Sequence, residues 1–582
     1  MRPSATRALC ALSLVPVVLT ACSAAAWRNA GRAVGEAIRA AATTPPSPAS
    51  LPRTRAERTD YRETSRYDDV VRFLDSLQAL GAPMRVGVMG KSTEGRDLLY
   101  VVASRPLVAS AEEARRLGRP VVYVQANIHA GEVEGKEALQ ALLRDLLFDA
   151  RPNALDSIVL VAVPVYNADG NERFAPQAVN RYEQNGPELV GERANGQKLD
   201  LNRDYVKAEA PETRASLRMF DAWDPDVFVD LHTTDGSYHG YALTYSPSLN
   251  PAAPLGAYTR DTLLPELRRR VKARRGFETF DYGNFDSVYE EKDITDSVKQ
   301  GWYTYDHRPR FGTNYYGLRN RVAVLSEAFS HDPFERRVKS TYAFVAELLS
   351  LAAERGGDIA ARERAIATGR AGVGHASSAS APAAADVPIR ARVAEGYVGD
   401  VLVERLVHTG DSARTEPGVP RGVRRTGRVY AQRMPVYDRF APTLAIALPA
   451  GGWALDAGQQ AAVDLLREHG VVVERLASDA PAAVAVDVFE VDSAVRAVRP
   501  FQGHNEVTLG GHWRRTQRVL TAGAFVVPAD QPLAVLAAYL LEPESDDGLA
   551  TWNVLDPSIR AGGDYPVMRV QGELRGARRI VR

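Results

Sequence analysis

Cysteine is almost absent from this 582-residue chain: Cys10 and Cys22 are the only two, and both lie near the N-terminus. A mature chain that begins at Cys22 can form no internal disulfide, and any metal centre must draw its ligands from histidine and carboxylates. An excess of charge is missing too. Lys+Arg and Asp+Glu both number 72, so nothing draws the protein to nucleic acid or an anionic surface. With 45% hydrophobic and 25% charged residues the composition is that of a soluble globular protein, and the length suggests two domains.

The N-terminus departs from this composition. Arg2 and Arg7 precede an apolar segment, 8–19, that falls short of the roughly 20 residues a membrane-spanning helix needs. That pattern is an export signal. It ends in Leu19-Thr-Ala-Cys22, which resembles the lipobox of bacterial lipoproteins. The resemblance implies a signal peptide over 1–21 and a diacylated Cys22 that anchors the protein to the cell envelope. Ser23 after the cysteine favours the outer membrane, facing the periplasm. Residues 22–60, rich in Ala, Pro, Ser, Thr and Arg, are expected to form a disordered tether.

The chemistry concentrates in Asn127-Ile-His-Ala-Gly-Glu-Val-Glu-Gly-Lys-Glu137. A short Val-rich run, 121–125, precedes it, and Ala138, Leu139, Leu142, Leu143 and Leu146 follow at helical spacing. His129 and Glu132 therefore sit on a strand-to-helix turn, where an imidazole and a carboxylate can converge on one cation. Zinc accepts both at about 2.0 to 2.2 Å. Glu134 and Glu137 are expected to be solvated residues of the first helical turn, favoured there by the helix dipole.

Strands are expected over 99–103, 121–125, 158–165, 227–231 and 322–325, and helices over 136–147, 255–270 and 334–351. Such alternation predicts an α/β fold with a sheet covered on both faces, whose functional groups collect beyond the strand ends. His232 closes the run 227–231 as His129 closes its own strand, and Asp230 is placed to orient a ligand imidazole. His239, His307 and His331 lack that setting. Asn202 and Arg203 put an amide beside a guanidinium fork that matches a carboxylate. Glu327 ends the run beginning at Val322 and could take a proton from metal-bound water.

Six pieces in order resemble the zinc carboxypeptidase family, whose members include the pancreatic carboxypeptidases. They are Gly90-Lys-Ser-Thr-Glu-Gly-Arg96, His129-Ala-Gly-Glu132, Pro164-Val-Tyr-Asn-Ala-Asp-Gly170, Asp200-Leu-Asn-Arg203, Asp230-Leu-His232 and Leu325-Ser-Glu327. The resemblance implies a mixed, mostly parallel eight-stranded sheet flanked by helices, with one zinc ion per chain on His129, Glu132 and His232. It further implies that Asn202 and Arg203 hold the terminal carboxylate of a peptide with a free C-terminus and that Glu327 is the general base. The oxyanion arginine is expected at Arg193, with Arg181 as the alternative, and the tyrosine that closes over substrate at Tyr305, in competition with Tyr303, Tyr315 and Tyr316. Gly131 stands where the digestive enzymes carry arginine.

The expected domains are a catalytic one over 61–355, an Ala/Gly/Ser-rich linker over 356–390 and a smaller accessory α/β domain over 391–582. In the last, a strand over 443–448, a helix over 458–468 and a strand over 471–475 resemble half of a flavodoxin-like layer. A strand pair over 517–527 and a helix over 532–541 follow. The acidic segment 542–548 is expected to be a solvated loop, and His504 and His512 lack acidic partners at ligand spacing. The leading expectation is an exported, lipid-anchored zinc metallocarboxypeptidase. A peptidoglycan stem-peptide amidase or carboxypeptidase and an inert zinc-binding lipoprotein are the alternatives. The sequence leaves side-chain preference and oligomeric state open.

Overall fold

All six residues of Val121–Ala126 are buried, and so are the five of Val159–Val163 and the seven each of Val227–Thr233 and Val322–Ala328. Strands apolar on both sides can only sit inside a covered sheet. In the computed structural model of the protein the described residues are 50–285, 299–367, 386–411, 419–478, 483–572, 574 and 578–581. The expected signal segment, Cys22 and most of the expected tether and linker therefore lie outside them.

The central sheet has eight strands: β1 Met84–Lys91, β2 Asp97–Ala103, β3 Val121–Ala126, β4 Val159–Val163, β5 Val227–Thr233, β6 Leu243–Pro247, β7 Thr279–Asp281 and β8 Val322–Ala328. Their order is β1-β2-β4-β3-β5-β8-β6-β7. The pairs β4/β3, β3/β5, β5/β8 and β6/β7 are parallel, while β1/β2, β2/β4 and β8/β6 are antiparallel. The mixed eight-stranded sheet is thus the one expected. The sequence reading omitted β1, β6 and β7; β7 is only three residues long and β1 is half exposed, so neither carries a continuous apolar run.

Side chains alternate across the strands. On one face, Val122 and Val124 share an apolar cluster with Phe73 of α1 (Tyr67–Ala79), Leu139 and Leu143 of α2 (Glu134–Phe148) and Phe344 and Leu348 of a long helix, Phe334–Ala367. On the other, Tyr123, Val161 and Phe228 share one with Phe220 of α3 (Pro211–Trp223) and Tyr315 and Tyr316 of α4 (Gly312–Leu318). Trp453, Val463, Leu536 and Trp552 belong to that same second cluster. The C-terminal half therefore shares a core with the central sheet, and Pro52–Arg582 forms one compact unit.

Several expected boundaries move for this reason. The long helix continues past 355 to Ala367, and Val387, fully buried, already belongs to the core. At the other end Thr54 caps the helix Arg55–Arg58, whose Ala56 is fully buried, and Glu57 pairs with Arg144 of α2 at 2.6 Å. Residues 52–60 are thus packed rather than tethering. In the second half, the strand expected over 443–448 is Arg439–Ile446, which pairs antiparallel with Val387–Ala394 in a two-stranded sheet, whereas Glu474–Leu476 pairs with Phe525–Val527 in a seven-stranded one. The two lie in different sheets, so the flavodoxin-like pairing does not form. The segment 542–548 is not solvated: Glu542 bonds Trp453 and Arg569, and Asp547 pairs with Arg310 at 2.7 Å. Charges that read as polar surface are counter-charges for buried cations. Among the described residues no helix is long and apolar enough to cross a membrane.

His469, after the helix Gln460–Glu468, shows how the halves are joined. Its Nε2 donates to Val206 O at 3.0 Å, and its Nδ1 accepts from Tyr315 Oη at 2.8 Å. Arg319 donates to the same Tyr315 oxygen at 3.2 Å, which fixes the hydroxyl proton towards the imidazole. The ring must then be neutral, and burial pushes it down to about 4, with Arg319 adding to the shift. An unfolded histidine titrates near about 6.5, so below that pH the unfolded chain gains a proton that the folded one refuses. Stability from this residue should fall between about pH 6.5 and 4, by about 1 kcal/mol from pH 7 to 5.5. Urea denaturation at both pH values should show His469→Gln losing less than the wild type by that difference. An equal loss in both would refute the neutral assignment.

Candidate active site

The turn after β3 is made by Asn127, whose φ of 64° is a left-handed conformation that asparagine tolerates. Its side-chain amide donates to Ala130 O at 3.3 Å and to Glu132 O at 3.2 Å, curling the chain so that His129 and Glu132 face the same point. Helix α2 then leaves close beside β5, since a Cβ on Gly135 would lie 2.9 Å from Leu231 Cβ. The parallel register supplies the rest. His232 on β5 lies opposite Glu327 on β8.

His129, Glu132 and His232 are each 3% exposed, and their ligand atoms lie within 4.8 Å of one another. Nδ1 of His129 is 2.9 Å from Glu132 Oε1, and Nδ1 of His232 is 2.9 Å from Oε2. The opposite nitrogens face aspartates, His129 Nε2 towards Asp200 Oδ1 and His232 Nε2 towards Asp230 Oδ2, each at 3.0 Å. The Asp200 bond holds His129 Nε2 as the protonated nitrogen and leaves its Nδ1 lone pair aimed inward, and Nδ1 of His232 is aimed at the same carboxylate. Two inward nitrogens and a carboxylate fit zinc. Among the described residues this is the group of histidines and acids placed to hold a metal ion. His239, His307, His331, His504 and His512 are elsewhere; His239, for example, stacks against Phe329 and Trp302.

The cavity is lined by His129, Glu132, His232, Glu327, Asn202, Arg203, Arg193, Tyr305, Tyr282, Phe311, Leu325, Thr233 and Asp235. Asn202 reaches His232 Nε2 at 3.4 Å, and its Oδ1 accepts from Gly312 N at 2.9 Å. Arg203 lies over the Phe311 ring at 4.0 Å and donates to Asn202 O at 2.8 Å. Glu327 Oε2 is buried with no hydrogen-bond partner among the described residues. Burial raises the Glu327 carboxyl well above the ordinary range; His232 and Arg181 oppose this, and Glu132 and Asp235 add to it. Glu132, also buried, is held well below the ordinary range by His129, Arg181 and His232.

The two candidate arginines differ in what they touch. Arg181 donates to Thr233 O at 3.1 Å, to Thr234 O at 2.9 Å and to Glu132 at 3.1 Å. Its stem fills the space beside residue 131, where a Cβ would meet Arg181 Cγ at 2.6 Å, so no side chain fits at Gly131. Arg193 lines the cavity, and its other contacts are Asp200 at 2.9 Å and Glu132 at 3.4 Å. Of the four tyrosines only Tyr305 lines the cavity, with its hydroxyl buried and unpartnered. Tyr303 stacks on Tyr437, Tyr315 bonds His469, and Tyr316 stacks on Phe220.

Glu134 and Glu137 depart from expectation. Both are fully buried: Glu134 pairs with Arg337 at 3.3 Å, and Glu137 accepts from Thr64 Oγ1, Ser65 N and Ser65 Oγ. The first turn of α2 is covered by residues 64–65 and by the long helix, neither of which is near in sequence. Asp200, Tyr282, Phe311 and Asp235 received no role in the sequence reading. Asp200 alone had a signal, its place two residues before Asn202. Asn167 also escaped: it donates to Ile128 O at 3.3 Å and Arg193 O at 3.1 Å, tying the metal turn to the arginine loop.

The chain is 23% identical over 502 residues to carboxypeptidase 2 of Trichophyton tonsurans, a match that covers 83% of this chain and 82% of that protein. It is 29% identical over 191 residues to carboxypeptidase M of Mus musculus, covering 31% of this chain and 39% of the relative. A solved metallo-carboxypeptidase from Burkholderia cenocepacia superimposes with a TM-score of 0.37 at 18% identity, covering 50% of this chain and 70% of that one. The family model described as zinc carboxypeptidase matches residues 70–308 of this chain.

Proposed function

We propose that the protein is a zinc-dependent carboxypeptidase that removes C-terminal residues from peptides outside the cytoplasm. The observation that carries this reading is the set of inward-facing Nδ1 atoms and the Glu132 carboxylate, beside a Glu327 whose Oε2 has no hydrogen-bond partner among the described residues and an Arg203 that lies over the Phe311 ring. Zinc bound by His129, Glu132 and His232 would supply a Lewis acid that polarises the scissile carbonyl and acidifies a water. The chain's own residues do the remainder. Glu327, whose affinity for protons is raised by burial, takes the proton and returns it to the leaving amine. Arg193 reaches the metal-side carboxylate and is placed to stabilise a developing oxyanion. Asn202 and Arg203 fix the substrate's terminal carboxylate, and Tyr305 presents a buried hydroxyl towards the same cavity.

Arg203 is the residue that makes this an exopeptidase, because a guanidinium held over the Phe311 ring in the cavity selects an anionic chain end over continuing backbone. For localisation, Leu19-Thr-Ala-Cys22 supports an anchor to the envelope through lipid on Cys22. A peptidoglycan stem peptide would suit that place and the same chemistry.

Two substitutions separate these roles. Glu327→Gln should bind zinc at wild-type stoichiometry while turnover falls by about 10² or more; wild-type-like hydrolysis would remove Glu327 from the mechanism. Arg203→Ala should raise KM for peptides with a free C-terminus by on the order of 10²-fold and leave hydrolysis of C-terminally amidated peptides unchanged. For the substrate class, mass spectrometry of a linear peptide library and of purified muropeptides after incubation should show one C-terminal residue lost per step from the linear peptides, with His129→Ala as control. Cleavage confined to muropeptides would favour the peptidoglycan reading, and no cleavage with zinc bound would favour an inert site.

A further inference from the structure

The long hairpin of the C-terminal half, Val484–Arg496 with Val507–Arg518, ends in a tip that reaches the candidate active site. At the tip, Phe501 N donates to His504 O at 2.8 Å and His504 N to Phe501 O at 3.0 Å. Between them Gln502 and Gly503 both have positive φ, 49° and 83°. Two such residues make the tight turn that suits a two-residue hairpin loop, and glycine, asparagine or aspartate normally fills its first position. A glutamine there is strained, and the strain is held by what its side chain does. Gln502 Oε1 accepts from Asp200 N at 2.8 Å, across 302 residues of sequence. The acceptor is fixed as the oxygen, because a main-chain N–H can only donate.

Asp200 is where the site's orienting bonds meet. Its Oδ1 accepts from His129 Nε2 at 3.0 Å and from Asn202 N at 2.9 Å, and its Oδ2 from Arg193 at 2.9 to 3.0 Å. Asn202 and Arg203 follow directly on the short helical turn Leu201–Arg203. The tip itself is clamped on both sides. His504 bonds Glu209 at 2.9 Å and Asn553 at 3.0 Å, and Asn553 donates to Asn505 O at 3.0 Å. Arg310 lies 5.5 Å from the Phe501 ring and 4.5 Å from that of Trp552, and pairs with Glu506 at 2.6 Å. Next to Arg310 are Phe311, under Arg203, and Gly312, bonded to Asn202.

We propose that Gln502 is a positioning residue for the metal centre: from the C-terminal hairpin it fixes the Asp200 backbone, and through the Asp200 carboxylate it sets the His129 imidazole and the Arg193 guanidinium. The second half of the chain thereby completes the catalytic site. This rests on the zinc reading of His129, Glu132 and His232.

Gln502→Gly tests it, because glycine adopts positive φ without steric cost and so keeps the turn while removing the acceptor. The variant should melt at or above the wild-type temperature, hold zinc about 10-fold less tightly in competition with a chromogenic chelator, and lose kcat with KM little changed. Gln502→Asn, which also suits the turn but is one methylene too short to reach Asp200 N, should behave like the glycine variant. Zinc affinity and kcat within twofold of wild type in both would overturn the proposal, as would zinc loss that only tracks unfolding. Zinc affinity is read without substrate, so a wild-type protein that binds zinc but cleaves no peptide still tests Gln502. A wild type that takes up no zinc overturns the metal reading, and this one with it, before any substitution is made.

Discussion

A carboxylate 3% exposed to solvent, Glu132, is the constraint around which this structure is organised. Removing an ion of that size from water costs several kcal/mol even after relaxation, and only close counter-charges or a bound cation offset it. Here His129, His232, Arg181 and Arg193 all point at its two oxygens. Each of these is held in turn: the histidines by Asp200 and Asp230, Arg181 by the backbone carbonyls after β5, and Arg193 by Asp200. Loops far apart in sequence are therefore bound to one buried charge.

The same constraint explains why Glu327 differs from Glu132 although both are buried acids. Glu132 has an imidazole on each oxygen and two guanidiniums on Oε1, whereas Glu327 lies beside His232 in the register of β5 and β8 and keeps an oxygen without a hydrogen-bond partner among the described residues. One carboxylate is held ionised and the other is pushed towards the protonated form. A ligand and a base need that division, and the parallel register sets them one strand apart.

The C-terminal half belongs to this arrangement more closely than its sequence suggests. His469 is locked against Tyr315 and Val206, Asp547 neutralises Arg310, and Gln502 reaches Asp200. These polar groups look like ordinary surface residues in the sequence, because nothing local distinguishes an acid that faces water from one that faces a cation 200 residues away. The acidic segment 542–548 and the first-turn acids Glu134 and Glu137 therefore read as solvated in the sequence. In each case a distant segment covers them.

What the sequence determined by itself is whatever depends on local periodicity and on residue types of narrow chemistry. Val-rich runs gave the buried strands, helical spacing gave α2, and ten histidines in 582 residues left few choices for a metal group, so His129, Glu132 and His232 were legible before any fold was known. Tertiary structure decided which of several chemically equivalent residues share one place. Tyr305 rather than Tyr303, Tyr315 or Tyr316 faces the cavity, Arg193 lines it while Arg181 fills the gap at Gly131, and Gln502 meets Asp200. The physical reason is that a phenol, a guanidinium or an amide has the same chemistry everywhere in a sequence. Only packing and register fix which one meets the buried charge.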